Sequence, residues 1–504
     1  MKHLFVDLPQ DDDKIFLLDA AGKKFRQVLW GDWLTIDDAD DGVSPTVKVL
    51  WAWNDPDPAK RKELFIDRRF TTDKRPLEIV FVDVGQGDGC VLISPEPDVG
   101  ERILVIDAGE GDHMHEFLAG RFGSYKPKTL FHAAVITHPD QDHYGGFGTI
   151  FDSGKISFNH LYHSGLVERP GGLKFDKLGG LTTDPVNGIA YLENLVEDHA
   201  GLQAAFAPAG SGQYAKMIRS GLASEAIKNS AMLSTQHGQM EAGRTWMPGF
   251  TPSDGRGYAI EVVGPFAETN AAGKKRLRKN GDYGQTKNGH SVLLRLHYKD
   301  FRVFFGGDLN LRAEKFLLMR YAGIDKWPTT AAAREAMIAA AKPFFDAEVM
   351  KVCHHGATDV TDEFLEAVNP AAFVISSGDQ EGHVHPRPDL LGRLGKAGRG
   401  SAPVLLSTEL QRSTREKEDA DLVKRLLKAV KAHTANPTVQ RETGILADIE
   451  KLGRSNVDVD GAIYVKTDGD RLIAAFKKET GSATDKWFYF EYTLRDGKLI
   501  MTDG

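Results

Sequence analysis

One stretch constrains the chain more than any other: Val135-Ile136-Thr137-His138-Pro139-Asp140-Gln141-Asp142-His143-Tyr144-Gly145-Gly146. The apolar run Ala133–Ile136, with Phe131 before it, reads as a buried strand, and Pro139 and the two glycines predict a loop directly after it. A buried strand that ends in a dense group of metal-competent side chains fixes both a core and a site at its mouth. On an extended backbone His138 and Asp140 share one side, Asp142 points with them, and His143 falls opposite. Two neighbouring ligand pairs suit two cations. Dinuclear hydrolytic sites hold their ions about 3.5–4 Å apart and need this density of imidazole and carboxylate.

The 504 residues are 41% hydrophobic and 27% charged, the composition of a globular chain. That length suggests roughly two to four domains. No apolar run reaches the ~18 residues of a membrane span, so no membrane association is expected. Met1 to Ala20 carries Asp11-Asp12-Asp13 and lacks the apolar core of a secretory signal. Two cysteines, Cys90 and Cys353, argue against a disulfide framework and lead us to expect a cytoplasmic protein. The net charge of −8 does not suggest a general polyanion binder, although a local basic patch can still serve one face.

In chain order, residues 1–72 read as a small SH3-like β-barrel, with apolar-rich runs at Lys14–Asp19, Lys24–Trp30, Trp33–Ile36 and Val47–Trp53. Trp30, Trp33, Trp51 and Trp53 either fill its core or form a face for a protein partner. Lys60–Arg75 reads as a polar connection into a second unit, 73–504. There Leu77–Val84 runs into Gly85-Gln86-Gly87-Asp88-Gly89, Cys90–Ser94 returns, and Ile103–Ile106 leads to Asp107. Asp83, Asp88 and Asp107 are candidates to orient the histidines. Residues 165–257 carry no motif and read as a helical insertion, with helices at Ile189–Gln203 and Tyr214–Leu233; a second insertion falls at about 415–455. Lys274, Lys275, Arg276, Arg278 and Lys279 form a basic cluster that suits a phosphate backbone or a solvated loop. Ser291–Tyr298 and Arg302–Phe305 read as paired strands ending at Gly306-Gly307-Asp308, and Ala347–Val352 as a strand running into Cys353-His354-His355-Gly356-Ala357.

The His138-x-Asp140-x-Asp142-His143 loop resembles the His-x-His-x-Asp-His signature of the metallo-β-lactamase superfamily. With aspartate at 140 and Gly145-Gly146 following, it is most similar to the branch that contains the hydrolase domain of the ComEC DNA-uptake protein. Val84-Gly85-Gln86-Gly87-Asp88, the Asn288-to-Ser291 segment, Gly307-Asp308, His354-His355-Gly356 and Gly382–Pro388 extend that resemblance over roughly 77–411 and 459–470; Ala357 departs from the branch, which has serine there. The resemblance implies an α/β fold, an αββα sandwich flanked by the small barrel and the insertions. It implies His138 and Asp140 on a first metal, Asp142, His143 and one of His354 or His355 on a second, and Asp308 on both. His163 is the candidate third histidine for the first metal. Asn288 and Ser291 would lie beside the ligands, and His385 would donate to a substrate oxygen or cap its loop.

The implied cofactors are two divalent ions, zinc by default, with manganese the alternative because carboxylate hardens the first site. Such a pair lowers the pKa of a shared water from 15.7 towards about 7, and Asp142 counts among the catalytic groups. The implied function is a phosphodiesterase or nuclease acting on DNA or nucleotides. A hydrolase of a small ester, lactone or lactam, and a non-catalytic partner-binding protein, are the alternatives, since a fold does not fix a substrate.

Overall fold

Strands that read as unbroken apolar runs occupy the centres of two sheets, where both faces are covered. Ile103–Ala108 and Thr129–Ile136 pair in parallel, with Leu104 beside Ala133 and Ile106 beside Val135. Ile156–His163 and Ser230–Met232 continue that parallel side. Gly89–Ile93, Leu77–Phe81, Ile463–Thr467, Arg471–Lys477, Trp487–Arg495 and Lys498–Asp503 follow on the antiparallel side, making ten strands. The second sheet has eight, in the order Gln239–Glu241, Arg244–Trp246, Tyr258–Gly264, Leu293–Tyr298, Phe301–Phe305, Val349–Lys351, Ala372–Ile375 and Val404–Ser407, with the last four parallel. These elements belong to a computed structural model that describes residues 2–8, 14–53, 55, 57–97, 100–123, 129–378, 385–400, 403–408, 420–449, 461–478, 482–495 and 498–503.

The two sheets share one core, in which Phe81, Ile106 and Val135 meet Tyr258, Phe305 and Val374. Helices cover the outer faces: His113–Arg121, Gln141–Asp152 and Gln213–Ala223 on the first sheet, and Leu311–Tyr321, Ala331–Phe345 and Asp362–Val368 on the second. The chain is therefore α/β. Asp107, His138, Asp308, His354 and Ser376 all sit at or just beyond the carboxyl ends of parallel strands, where open α/β sheets place their ligands.

The loop after Ile136 is shorter than its glycines suggest. A helix begins at Gln141 with Asp140 at its N-cap, so Asp142 and His143 lie in the first helical turn. Gly145 and Gly146 are inside that helix because it presses on neighbouring backbone: a Cβ on Gly146 would lie 2.2 Å from the carbonyl oxygen of Ala108.

Residues 2–72 hold more strand than the apolar runs predict, seven in the order Lys24–Val28, Ile15–Leu18, Lys62–Asp67, Thr46–Trp51, Trp33–Ile36, Lys2–Val6 and Thr71–Thr72. Lys62–Asp67, read from its charges as a connection, is a strand because Leu64 and Ile66 alternate into the core against Val49 and Val47. The tryptophans divide: Trp30 is buried, whereas Trp33 is 46% exposed and carries the His3 ring stacked at 3.9 Å.

The region 165–257 is mixed rather than helical. Ala190–Leu192 is a strand because Tyr191 and Leu192 pair with Arg278 and Leu277. The helix that follows starts only at His199, where the Asp198 side chain accepts the Gly201 N–H. Likewise Gln213–Ala223 ends early, and Ser230–Met232 joins the edge of the ten-stranded sheet. In both places strand pairing overrides the local helical pattern. The basic stretch is also a strand, Lys275–Arg278, in a small sheet with Glu268–Thr269, Ala190–Leu192 and Thr182–Thr183. Of the 415–455 insertion, Ala420–Ala435 and Val439–Ile449 are helices. Its flanks, and Gly382, His383 and Val384 of the Gly382–Pro388 segment, lie outside the described residues. Among the described residues no helix is long and apolar enough to cross a membrane.

A buried ion pair joins the N-terminal sheet to the rest. The Lys466 ammonium lies 3.2 Å from Glu78 and donates to the carbonyl of Trp30 at 2.7 Å, with Arg121 3.6 Å from the other Glu78 oxygen. Burial works against the Glu78 charge, but Lys466 and Arg121 outweigh it and hold the carboxyl down at about 2, against an ordinary 4.5. The pair's contribution is therefore complete above 4.5 and is lost as pH falls towards 2. Lys466→Met, which strands the carboxylate, should cost about 3–5 kcal/mol in urea denaturation at pH 7. The deficit should narrow between pH 5 and pH 3; a constant deficit would show that Glu78 is not the group left behind.

Candidate metal centre

Asp308 follows the strand Phe301–Phe305 and is buried, and four imidazoles turn the same nitrogen towards it. The Nε2 atoms of His143 and His355 lie 3.2 and 3.3 Å from its carboxylate, and those of His138 and His354 lie 3.8 and 3.9 Å away. Each ring is held by its other nitrogen. His143 Nδ1 is 2.8 Å from Asp107, His355 Nδ1 is 3.1 Å from the Ser376 carbonyl with Asp88 3.0 Å away, and His354 Nδ1 is 3.0 Å from Asp359. His138 Nδ1 lies 3.2 Å from the Thr137 hydroxyl and 3.3 Å from that of Ser291. Anchoring one ring nitrogen fixes the tautomer and direction of the other, the arrangement that metal-binding histidines use.

His354 and His355 come from a tight turn in which both residues adopt left-handed backbone, φ 50° and 53°, before Gly356 at 86°. Side-chain residues at such φ values cost about 1–2 kcal/mol each, and this cost recurs at functional sites. The strain explains why adjacent rings, which diverge on ordinary backbone, here both reach Asp308. Asp107 is left-handed too, at φ 55°, and accepts the Thr137 N–H at 2.8 Å and its hydroxyl at 2.7 Å. Gly87 lets its turn lie on the ligand loop, since a Cβ there would fall 1.7 Å from the carbonyl oxygen of Asp142.

Carboxylates outnumber ammonium groups here. Asp142 lies 3.4 Å from His355, and Asp140 lies 3.5 Å from His138. Against Asp88, Asp107, Asp140, Asp142 and Asp308 stand two ammonium groups. Lys351 pairs with Asp88 and donates to the carbonyl of Gly307 at 3.0 Å, and Lys287 pairs with Asp140 and, at 3.1 Å, with Glu168. Burial opposes the charges of Asp140, Asp142 and Asp308, yet the histidines hold the Asp142 and Asp308 carboxyls well below their usual range, and His138 with Lys287 holds Asp140 at about 2. Conversely, Asp308 with Asp107 pushes the His143 imidazole up, and Asp308 with Asp88 does the same to His355.

Ligating atoms of Asp88, His143, Asp308 and His355 all fall within 4.8 Å of one another. Proximity alone would make Asp88 a ligand. Lys351 takes its Oδ2, while its Oδ1, buried without a hydrogen bond, lies 3.0 Å from His355 Nδ1; Asp88 thus sits on the Nδ1 side of that ring, and Asp142 is the carboxylate that faces the Nε2 side. The donors fit a cation: His138 Nε2 and one Asp308 oxygen are buried without any hydrogen bond. Two metal–ligand bonds of 2.0–2.2 Å at a tetrahedral angle put N and O roughly 3.4 Å apart, close to the separations found here.

Other residues singled out in the sequence lie as follows. Ser291 accepts the Asp308 N–H at 3.1 Å, and Asn288, with its amide turned to satisfy its neighbours, donates to Asp140 at 3.0 Å. Asp83 accepts the Gly85 N–H at 3.2 Å and holds the glycine turn. His385 lines the same cleft, its ring 6.0 Å from that of His354. His163 is buried, accepts the Gly165 N–H at 3.1 Å, and has Arg169 and His237 as its charged neighbours; burial, with those two, holds it down at about 4. Among the described residues no ion pair links it to Asp308 or Asp140. The basic stretch is engaged internally: Arg276 on Asp184 at 2.6 Å, Arg278 on Glu268 at 2.8 Å, Lys274 on Asn194 at 3.3 Å, Lys275 on Gln236 and Thr269, and Lys279 over the Phe175 ring at 5.3 Å. Lys287, Lys351 and Asp359 went unread in the sequence. A lone lysine inside the apolar run Val349-Met350-Lys351-Val352 was the available signal for one of them.

No protein-family model matches the chain, and no curated protein matches it. Solved structures do match. One is described as the crystal structure of a new diphosphatase from the PhnP family, at 10% identity and a TM-score of 0.27, over 65% of this chain and 94% of that one.

If Asp107 acts by aiming His143, Asp107→Asn should keep the fold and lower metal affinity by about 10–100-fold. Equilibrium dialysis against zinc or manganese, read as metal per chain, checks this. Unchanged affinity would remove Asp107 from the metal centre.

Proposed function

We propose that this chain is a metal-dependent hydrolase of the metallo-β-lactamase type that cleaves phosphodiesters in nucleic acids or nucleotides. The observation that carries the reading is the excess of buried carboxylate over ammonium around four inward-facing imidazoles, a charge arrangement that divalent cations relieve. His355, His143, Asp142 and Asp308 would hold one ion; His138, Asp140 and Asp308, with His354 beside them, would hold another. When bound, such ions supply Lewis acidity and a nucleophilic oxygen at neutral pH. The N/O donor set suits zinc or manganese.

The protein's own share is positioning. Asp107, Asp88, Asp359, Thr137 and Ser291 lock the four rings. Lys351 and Lys287 neutralise Asp88 and Asp140 from behind, which leaves the Nε2 side to the cation and the substrate. The cleft in front measures about 1040 Å³ and is lined by Gln86, Asn288, His354, His385 and Arg387, with Ala357 its one apolar side chain. Ester, lactone and lactam substrates present apolar acyl groups for which this wall offers no counterpart. A phosphodiester presents oxygens, which His385 and Arg387 can meet as donors.

The test is hydrolysis of bis-p-nitrophenyl phosphate, a single-stranded oligonucleotide and a plasmid by zinc- or manganese-loaded protein. A chelator should abolish activity and metal readdition restore it. Asp308→Asn should lower kcat on the order of a thousandfold, about 4 kcal/mol of barrier. Turnover that survives both chelation and Asp308→Asn would refute the proposal.

A further inference from the structure

A second pocket, of about 910 Å³, adjoins the metal cleft, and its charged lining is Arg278, Lys279, Arg312 and Lys315. No carboxylate borders it. Arg278 is committed to Glu268, but the other three cations are free of acidic partners. Lys279 lies 5.3 Å over the Phe175 ring and Lys315 4.9 Å over that of Trp327, and Arg312 is exposed. Among the described residues Lys279, Arg312 and Lys315 make no ion pair. In a chain of net charge −8, three unanswered cations on one concave surface are a local reversal of sign. Asn280, 7% exposed, also lines the pocket, and its side-chain nitrogen makes no hydrogen bond.

The chain itself ties the pocket to the cleft. Gly281 lines the pocket and Gly284 the cleft; Leu311 lines the pocket and Asp308 the cleft. Each link is three residues, a span of at most about 11 Å. One extended polyanion can therefore occupy both. We propose that this pocket receives a second phosphate of the substrate, adjacent along the strand to the one at the metal centre, which makes the substrate a phosphodiester chain. This rests on the hydrolase reading above and narrows it, because a lone phosphodiester at the metal centre leaves the pocket unused.

The test uses the full chain with Arg312→Glu and Lys315→Glu combined; neither residue borders the metal cleft. Binding of a fluorescein-labelled single-stranded phosphorothioate oligonucleotide is followed by anisotropy, and hydrolysis is followed on an unmodified oligonucleotide and on bis-p-nitrophenyl phosphate. The variant should raise the oligonucleotide Kd and KM roughly tenfold or more. The slope of log Kd against log salt should flatten by about 0.7 for each phosphate that is no longer neutralised. Its kcat, and its kinetics on bis-p-nitrophenyl phosphate, should not move.

An unchanged oligonucleotide Kd overturns the pocket and leaves the hydrolase reading standing. An equal loss on bis-p-nitrophenyl phosphate also overturns the pocket, because the substitutions would then have damaged the cleft. A charge-dependent Kd with neither substrate cleaved supports the pocket and refutes the hydrolase.

Discussion

The carboxylate of Asp308 is the point on which the rest of the site turns. Four imidazole nitrogens, drawn from two helix or loop starts more than two hundred residues apart in sequence, come within 3.9 Å of it. Two of them, on His138 and His354 at 3.8 and 3.9 Å, lie beyond hydrogen-bond reach of that carboxylate, so hydrogen bonds to it do not hold all four rings. The arrangement is stable as a protein surface only if the rings are anchored from behind. The outward ring of carboxylates and hydroxyls does that. Asp107 and Asp88 therefore matter to the fold as well as to the site: they add polar contacts at the ends of strands whose interiors are held by backbone pairing and apolar packing.

That ordering has a backbone cost. Asp107, His354 and His355 all sit at positive φ, where a Cβ crowds the following carbonyl. Two sheets packed through one apolar core supply the rigidity that keeps such residues in place. Each strained residue ends a strand whose neighbours are fixed on both sides, Ile103–Ala108 between Gly89–Ile93 and Thr129–Ile136, and Val349–Lys351 between Phe301–Phe305 and Ala372–Ile375. The sheet centre is thus what makes the strained turn tolerable, and the turn is what converts sheet geometry into a converging set of donors.

Much of this was legible in the sequence, and what was missed has a physical pattern. Central strands announced themselves because both faces are buried, so Ala133–Ile136 and Ile103–Ile106 read as apolar runs within the strands Thr129–Ile136 and Ile103–Ala108. The side chains that gather near Asp308 were legible in part, because His138, Asp140, Asp142 and His143 stand together where a buried strand stops. The half-buried edge elements were not. Lys62–Asp67 looks polar because its outward residues are charged, and Ala190–Leu192 looks helical until Leu277 and Arg278 pair with it. Glycine was misread in one instructive place. Gly145 and Gly146 signal a loop in sequence, whereas in the fold they permit a helix to touch the backbone of Ala108 and Glu110. Convergence of His354 and His355 was also unreadable, because it depends on two successive left-handed residues that no local propensity favours.

Charge is the property that sequence order represents least well. The run from Lys274 to Lys279 carries the densest positive charge in the chain, yet strand pairing sets Arg276 and Arg278 against Asp184 and Glu268, so most of that charge is neutralised within the fold. Lys287, which stands alone in sequence, is buried against Asp140 and Glu168 and changes the electrostatics of the ligand cluster directly. Arg312 and Lys315, three residues apart on the helix Leu311–Tyr321, share one exposed edge of it and keep their charge unanswered. What decides whether a cation can act on a ligand is therefore the number of carboxylates within a few ångströms of it in space. In a protein whose acidic residues outnumber its basic ones, the cations that matter for an anion are those the fold has kept away from acids.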